Sequence, residues 1–280
     1  MPVRFEIHGG MLQVKQSFDF PAVYLDHWAV RLFSTDKMLG QRFLRALKAS
    51  GGAVVVSHVN LAEITGPEDQ RHADEIAAFF ESMLPNIYFA LFYMDAAIKQ
   101  ELRPRDVSVR LKAPADIDLL LTVAKERHDD FRPFTIANLV KVIAAHRDRL
   151  NSTWHETNQA LADQINKVRS SVEMTDKAKN YKGHPVHVPT LAIAQELVRP
   201  FFLDQAMSVN RNDAGDYHHA VISIAYCDYT LLDGKWEDLN ERMIRRFNEL
   251  SLPIRTAKVF SARRQGVERF LEELEHASAT

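Results

Sequence analysis

The chain has 280 residues, of which 46% are hydrophobic and 26% are charged, and its formal net charge at pH 7 is −2. A chain of this length and composition can bury a large core, as one elaborated domain or as two small ones. The near-neutral charge excludes binding of polyanions by the whole surface, so a nucleic-acid interface must be a local basic patch. The single cysteine, Cys227, excludes an intrachain disulfide and a multi-cysteine zinc site.

No segment of the sequence predicts a membrane span or a secretion signal. The longest apolar stretch, residues 87–94 (IYFALFYM), is far shorter than the apolar run that a bilayer requires. The first twenty residues lack a basic region followed by an apolar region. We therefore expect a cytoplasmic protein without a membrane partner.

The first hundred residues alternate predicted strands and helices. Residues 22–25 form a short predicted strand, and helical periodicity follows until Gly51 and Gly52 end it. The β-branched run at 53–57 (AVVVS) is typical of a buried parallel strand, and two helices, VNLAEI and DEIAAFFESML, come after it. Residues 87–93 predict a third strand, which the helix DAAIKQEL follows.

The middle of the chain shows only helix signals, and alternation resumes after residue 200. Predicted helices cover residues 114–126, 134–150, 152–170 and 190–202. The last eighty residues predict a helix at 216–224, a strand at 229–232, the helix EDLNERMIRRFNEL, the strand AKVFS and a final helix, QGVERFLEELE. This order predicts a three-layer α/β/α sandwich with a central, mainly parallel sheet formed by residues 1–102 and 201–280. Residues 103–200 are predicted to form an all-α insertion.

Four carboxylates stand where a predicted strand ends or a helix begins. They are Asp26 in AVYLD, Glu63 in VVVSHVNLAEI, Asp216 in NDAGDYHHA and Asp233 in YCDYTLLD, and we call them the acid set. Parallel sheets bind ligands at the carboxyl ends of their strands, so folding is expected to bring the acid set to one edge. Four converging acids require counter-charge, and Mg²⁺ or Mn²⁺ prefers such oxygen ligands. Zinc is disfavoured because the chain has no HExxH motif.

The order of these acids resembles the signature of the PIN-domain family of metal-dependent nucleases. The corresponding pieces read VYLDHW, VVVSHVNLAEI and DYHHAVISIAYCDYTLLD with the trailing GKW, and the resemblance covers about residues 20–100 and 205–275. It implies a PIN-like fold in which the acid set holds a divalent metal and catalyses phosphodiester hydrolysis. The chain departs from the family in the long segment between Glu63 and Asp216, and in Leu231, which stands where the family favours Ser or Thr.

The resemblance implies an endoribonuclease that acts on single-stranded or structured RNA. Such domains are often the toxin half of a toxin–antitoxin pair, which implies a small inhibitory protein partner, and a homodimer is a further expectation. The main rival interpretation is a non-catalytic PIN-like scaffold that serves as a regulatory module and binds nucleic acid or protein.

Each member of the acid set also has a structural interpretation. Asp26 could cap the helix that begins after it, and Asp233 could form a turn with Gly234. Asp213 could take the place of Asp216, and Asp228 that of Asp233.

Five further residues are candidates for substrate binding. They are His58, Asn60, His218, Lys177 and Lys179. His58 and His218, or the adjacent His219, could contact a phosphate, and Asn60 could contact a metal-bound water or cap a helix. Lys177 and Lys179 lie in a predicted exposed loop, which could follow a phosphate backbone or be a solvated connection.

Overall fold

The computed structural model describes residues 3–9, 11–64, 70–104, 106, 109–121, 135, 139, 143, 147–204, 206, 207 and 209–277. Within these residues, no helix is both long enough and apolar enough to cross a membrane.

An antiparallel hairpin opens the described chain. Strand β1 (Val3–His8) pairs with β2 (Met11–Gln16), and Gly9 in the turn has a φ angle of +57°, a conformation that glycine adopts without steric cost. The sequence analysis did not predict this hairpin, although its apolar residues alternate along β1.

The central sheet has five parallel strands. They are β3 (Ala22–Leu25), β4 (Ala53–Val56), β5 (Ile87–Phe89), β6 (Tyr229–Leu231) and β7 (Lys258–Phe260). Their order across the sheet is β5-β4-β3-β6-β7, and every neighbouring pair is parallel. The predicted α/β class and parallel sheet are therefore confirmed, although the third predicted strand ends at Phe89 rather than at Tyr93.

Helices cover both faces of this sheet. In chain order they are α1 (His27–Thr35), α2 (Lys37–Ser50), α3 (His58–Ile64), α4 (Gln70–Met83), α5 (Met94–Glu101), α6 (Arg147–Arg169), α7 (Val172–Asn180), α8 (Pro189–Leu203), α9 (Arg211–Tyr226), α10 (Gly234–Glu249) and α11 (Gly266–Ala277). Residues 117–121 are also helical.

Successive strand residues point to opposite faces and enter two separate apolar cores. On one face, Val23 and Leu25 pack in a cluster with residues of α1, α2, α4 and α11. On the other face, Ala22 and Tyr24 pack in a cluster with residues of α5, α6, α8, α9 and α10. This arrangement follows from the two-residue period of a strand, and it is compatible with a three-layer sandwich.

The helices at 103–200 contribute directly to the second core. Ile165 of α6 and Leu197 of α8 belong to the same apolar cluster as Tyr24 and Val55 of the sheet. The division of the chain at residues 102 and 201 stays a prediction. Much of the predicted helices at 114–126 and 134–150 lies outside the described residues.

The prediction of a loop around Lys177 and Lys179 is wrong, because both residues are helical. Both lysines belong to α7, which Ser171 caps by accepting a hydrogen bond from the amide of Met174. Polar and charged side chains dominate this segment, and none of the residues of α7 is buried. A solvated helix without an apolar face resembles a loop in composition, which explains the error.

Candidate active site

Three members of the acid set follow strand ends at the carboxyl edge of the sheet. Leu25 of β3 lies opposite Leu231 of β6, so Asp26 and Asp233 stand one and two residues beyond paired strand ends. The amide of Asp26 donates to the carbonyl of Leu231 at 3.0 Å, which fixes its position beside β6. Glu63 belongs to α3, which begins two residues after β4 ends.

Asp216 reaches the same region from α9. Its carboxyl accepts a hydrogen bond from Trp236 near the start of α10, and the charge of Asp233 acts on it directly. Asp213, the alternative to Asp216, is the third residue of α9 and forms a capping box with Asn210. It also pairs with Lys235. Asp213 therefore has two structural partners, and Asp216 is the better candidate.

Electrostatic coupling shows that these carboxyls lie near one another. Loss of hydration raises the pKa of Asp26 to about 7, and the charges of Asp216 and Asp233 add to the shift. Loss of hydration, together with the charges of Asp26 and Asp216, raises the pKa of Glu63 to about 8. The pKa of Asp216 rises to about 6, first from loss of hydration and then from the charges of Asp233 and Asp213.

Solvent still reaches part of this region. Glu63, Asp216 and Asp233 have exposed surface, and Asp26 is half-buried. Protein surrounds the remaining sides of the shifted carboxyls, which weakens their hydration without removing it. In the part of the chain that the structure describes, no three His, Cys, Asp or Glu side chains converge closely enough to form a metal-binding group. The carboxyls of the acid set are thus close enough to affect one another's pKa, but they do not converge on a single point.

Asp26 and Asp233 both stand at the N-cap position of a helix, but only one of them caps it. Asp26 is the N-cap of α1, and its carboxylate accepts from the amide of His27 at 2.8 Å. Asp233 precedes α10 at its N-cap position, but its side chain makes no capping hydrogen bond. The carboxylate of Asp233 is therefore not used to cap the helix. Only one oxygen of the Asp26 carboxylate accepts a hydrogen bond from another described residue.

Asp228 lies at the opposite edge of the sheet. It precedes β6, accepts from the amide of Ala22 at 2.7 Å and pairs with Arg110 at 2.9 Å and with Arg255. Because Ala22 begins β3, these contacts belong to the amino ends of the strands. Asp228 therefore cannot replace Asp233 as the fourth acid.

A buried polar network lies behind the acid set. The hydroxyl of Tyr24 is 2.6 Å from Nδ1 of His219 and accepts a hydrogen bond from Nδ2 of Asn60 at 2.8 Å. Burial, followed by the charges of Asp26, Glu63 and Asp216, raises the pKa of Tyr24 well above its usual value. Tyr24 therefore remains a neutral phenol that joins the network to the acid set.

Asn60 has a structural role in this network. The side-chain oxygen Oδ1 of Asn60 accepts from the backbone amide and the hydroxyl of Ser57 at 3.1 and 2.9 Å. The backbone amide of Asn60 donates to Oγ of Ser57 at 3.1 Å. This reciprocal arrangement is a capping box at the start of α3. These contacts support the helix-capping interpretation of Asn60. Its side-chain amide is fully used, because Oδ1 bonds to Ser57 and Nδ2 bonds to Tyr24.

His58 is held by a residue that the sequence analysis did not identify. Nδ1 of His58 lies 2.8 Å from Oδ2 of Asp116, and Nε2 lies 3.5 Å from the hydroxyl of Tyr93. Asp116 is only 3% exposed and also accepts from the amide of Leu119 at 3.0 Å. A carboxylate only accepts, so Nδ1 carries the hydrogen, and Nε2 lies on the side of Tyr93. The run PADIDLLL predicts a helix, and no local pattern in it indicates this pairing.

The two histidines of α9, predicted to contact substrate, are almost completely buried. His218 and His219 are 8% and 3% exposed, and both pack against the ring of Trp154. Burial lowers the pKa of His218 to about 4 and that of His219 to about 3. Both rings are therefore neutral at pH 7, so neither supplies a positive charge to a phosphate.

Lys177 and Lys179 are exposed on α7, and each lies beside an acid. Lys177 pairs with Glu173 at 2.6 Å, and Lys179 lies 3.7 Å from Asp176. Neither lysine is among the charges that shift the pKa of Asp26, Glu63 or Asp216, whereas Lys235 lowers the pKa of Asp216.

Comparison with known proteins adds no assignment to this geometry. No family model matches the chain, and neither a curated protein nor a solved structure matches it.

Proposed function

We propose that the chain is a divalent-metal-dependent nuclease that hydrolyses phosphodiester bonds in RNA at the acid set. One observation carries the proposal: at the carboxyl edge of a parallel sheet, burial and then neighbouring carboxylates raise the pKa values of Asp26 after β3, Glu63 on α3 and Asp216 on α9. Such an arrangement is unfavourable for folding, and perturbed carboxyls of this kind cluster at functional sites.

The donor atoms of the acid set are of the type that a hard divalent cation prefers, and binding one requires these separated carboxylates to converge. The carboxylate oxygens of Asp26, Glu63, Asp216 and Asp233 would hold Mg²⁺ or Mn²⁺, which favours oxygen ligands. The charged groups that act on Asp26 and Glu63 within the described residues are carboxylates, so these two acids lack a protein counter-charge. A bound divalent cation supplies an acidified water and neutralises charge that develops on the phosphate.

The surrounding residues position the acids and limit access to them. The amide of His27 holds one oxygen of Asp26, and the indole of Trp236 holds Asp216. His58, oriented by Asp116, is only partly buried, and its Nε2 lies 3.5 Å from the hydroxyl of Tyr93. We assign the protonated form of His58 to contact with the RNA phosphate, because both ring nitrogens donate in that form.

The finer features of the proposal rest on the resemblance. We propose a PIN-like core with residues 103–200 inserted into it, RNA as the substrate and a toxin-type role with a small inhibitory protein partner. The rival function is a non-catalytic scaffold that binds RNA or protein. The buried His218 and His219 favour this rival slightly, since they offer no charge to a substrate.

Cleavage assays with matched variants test the proposal. Purified chain should cleave 5′-labelled single-stranded RNA in Mg²⁺ or Mn²⁺, and excess EDTA should abolish cleavage. Asp26→Asn should lower the rate at least about 100-fold, because amide oxygen is a weaker ligand than carboxylate.

Asp36→Asn is the control for that variant. Asp36 caps α2 as Asp26 caps α1, and asparagine caps a helix as well as aspartate does. The control should cleave RNA at the unmodified rate. Cleavage that survives both EDTA and Asp26→Asn would refute the metal-dependent site. Metal binding without cleavage of any RNA or DNA would favour the scaffold.

A further inference from the structure

The two outer strands of the central sheet, β5 and β7, differ in the hydrogen bonding of their outward backbone groups. At the β5 edge, the side-chain amide of Gln16 donates to the carbonyl of Phe89 and accepts from its amide, both at 3.0 Å. The amide of Asp116 also donates to the carbonyl of Phe89, and Ala115 forms a bridge with Ala90. The outward backbone groups of Phe89 in β5 are thus paired.

The β7 edge has no comparable cover. Lys258 donates to the carbonyl of Asp228, and Phe260 accepts from the amide of Leu232, so both face β6. In a parallel strand the intervening residue points its backbone groups the other way, so the amide and carbonyl of Val259 face outward. Among the described residues, neither group has a partner, and no strand pairs with this edge.

A groove of about 440 Å³ runs along this open edge. Its floor is residues 256–260, and its walls are residues of α10 and α11, which both contact β7. The three residues of β7 span about 10 Å at the rise of a strand. The groove therefore has the form of a slot for one extended segment between two helices.

A buried polar group lines this groove without a partner. Asn240 of α10 is 3% exposed, and its Oδ1 makes no hydrogen bond with any described residue. A buried amide oxygen without a hydrogen bond is destabilising, and a donor that enters the groove would satisfy it. A backbone amide of an added strand is such a donor.

The charges of the groove indicate the chemistry of its occupant. Four glutamates line it, against the two basic side chains Lys258 and Arg269 and the imidazole of His276. Glu273 is already paired with Lys258 at 2.7 Å and Glu241 with Arg264 at 2.9 Å, and the buried Glu237 accepts a hydrogen bond from Ser261. In the described part of the chain Glu272 has no ion pair, and this carboxylate favours a basic side chain on the incoming segment.

We propose that the β7 edge is a docking site for an extended, basic peptide segment of a partner protein, which adds to the sheet as a sixth strand. The backbone of Val259 pairs with the segment, Asn240 accepts one of its amides, and Glu272 pairs with its Lys or Arg. Strand addition of this type takes its affinity from backbone hydrogen bonds and its specificity from side chains. The proposal is independent of the nuclease activity.

Selection from a library of phage-displayed random decapeptides tests the proposal. The full chain should enrich clones with β-branched residues and at least one Lys or Arg, and binding of these clones should fall at least tenfold for Val259→Pro. Proline removes the outward amide of Val259, which β6 does not use, so pairing with β6 is retained, although the valine side chain is also lost from the core. Circular dichroism checks that this variant is folded.

A second pair of variants keeps the test valid if Val259→Pro fails to fold. Asn240→Leu should weaken the selected peptides about fivefold or more, whereas Asn248→Leu, on an exposed position of the same helix, should not. N-methylation of alternate amides in a selected peptide should abolish its binding to the unmodified chain, because the side chains remain and backbone pairing is lost.

Three results would overturn the proposal. The first is a lack of enrichment, and the second is equal binding by the Asn240 and Asn248 variants. The third is a dimer in analytical ultracentrifugation that Val259→Pro dissociates, because a second copy of the chain would then occupy the edge.

Discussion

Asp26 and Glu63 are the residues at which the structure departs most from what folding alone would select. A carboxyl with a raised pKa binds its proton more tightly in the folded chain than in the unfolded chain. Ionisation at neutral pH therefore destabilises the fold, and a nearby cation would reverse this effect. The acid set thus lowers the stability of the metal-free fold at neutral pH, an effect that the proposed metal would offset.

The metal-free chain should lose stability as pH rises. Between its ordinary pKa of 3.8 and its folded value of about 7, Asp26 binds more protons in the folded state than in the unfolded state. Its stabilising contribution is complete below pH 4 and is lost as pH rises through about 7. In urea unfolding with EDTA, Asp26→Asn should be more stable than the unmodified chain by about 1 kcal/mol at pH 8 and equally stable at pH 4. The expected difference is small because solvent access to Asp26 screens the charge.

The variant Asp36→Asn provides the reference for this measurement, since Asp36 is an exposed N-cap. It should follow the pH dependence of the unmodified chain. If the difference between Asp26→Asn and the unmodified chain did not change between pH 4 and pH 8, Asp26 would not have a raised pKa.

The positions of the acids were predictable from the sequence, but their surroundings were not. Asp26 and Asp233 follow apolar runs, and parallel strands place such positions at one edge. Asp116, in contrast, reaches His58 across 58 residues of chain, and no local pattern indicates that contact. Remote side-chain partners depend on tertiary packing, which periodicity does not report.

At the scale of elements, the strands were the most predictable part of the fold. The run AVVV of β4 is buried throughout, and a buried parallel strand is almost the only structure that suits four such residues. Helix α7 was missed because it lacks an apolar face. The β1–β2 hairpin supplies Gln16, which covers the β5 edge, and this role could not be read from its sequence.

The segment 109–121 should stabilise α3 through Asp116. Asp116→Ala removes a buried carboxylate that holds both His58 and the amide of Leu119, so it should cost about 1 to 3 kcal/mol in urea unfolding at pH 7. Asp95→Ala removes an exposed pair with Lys99 and should cost less than about 0.5 kcal/mol.

NMR of the imidazole nitrogens separates orientation of His58 from simple packing. In the unmodified chain, His58 should be protonated at Nδ1 when neutral, and Asp116→Ala should produce a mixture of tautomers. An unchanged tautomer, or equal costs for the Asp116 and Asp95 variants, would show that Asp116 does not orient His58.

On the scale of the whole molecule, the sheet has an apolar core on each face, and the two cores draw on different parts of the chain. The face that contains Val23 and Leu25 is covered by α1, α2, α4 and α11. The face that contains Tyr24 is covered partly by helices from 103–200. A sheet packed on both faces links these helices to the rest of the fold.

The described helices of 103–200 should therefore unfold together with the sheet. Leu197 of α8 is fully buried in the second core, so Leu197→Ala should cost about 2 to 5 kcal/mol. Two single-tryptophan chains report the two faces. One keeps Trp28, which packs on the first core, and the other keeps Trp154 of α6. With Phe at the other tryptophan positions, both chains should give one urea transition with the same midpoint, and Leu197→Ala should lower both midpoints equally. A shift confined to the Trp154 transition would show that 103–200 is a separate folding unit, as the original division at residues 102 and 201 predicts.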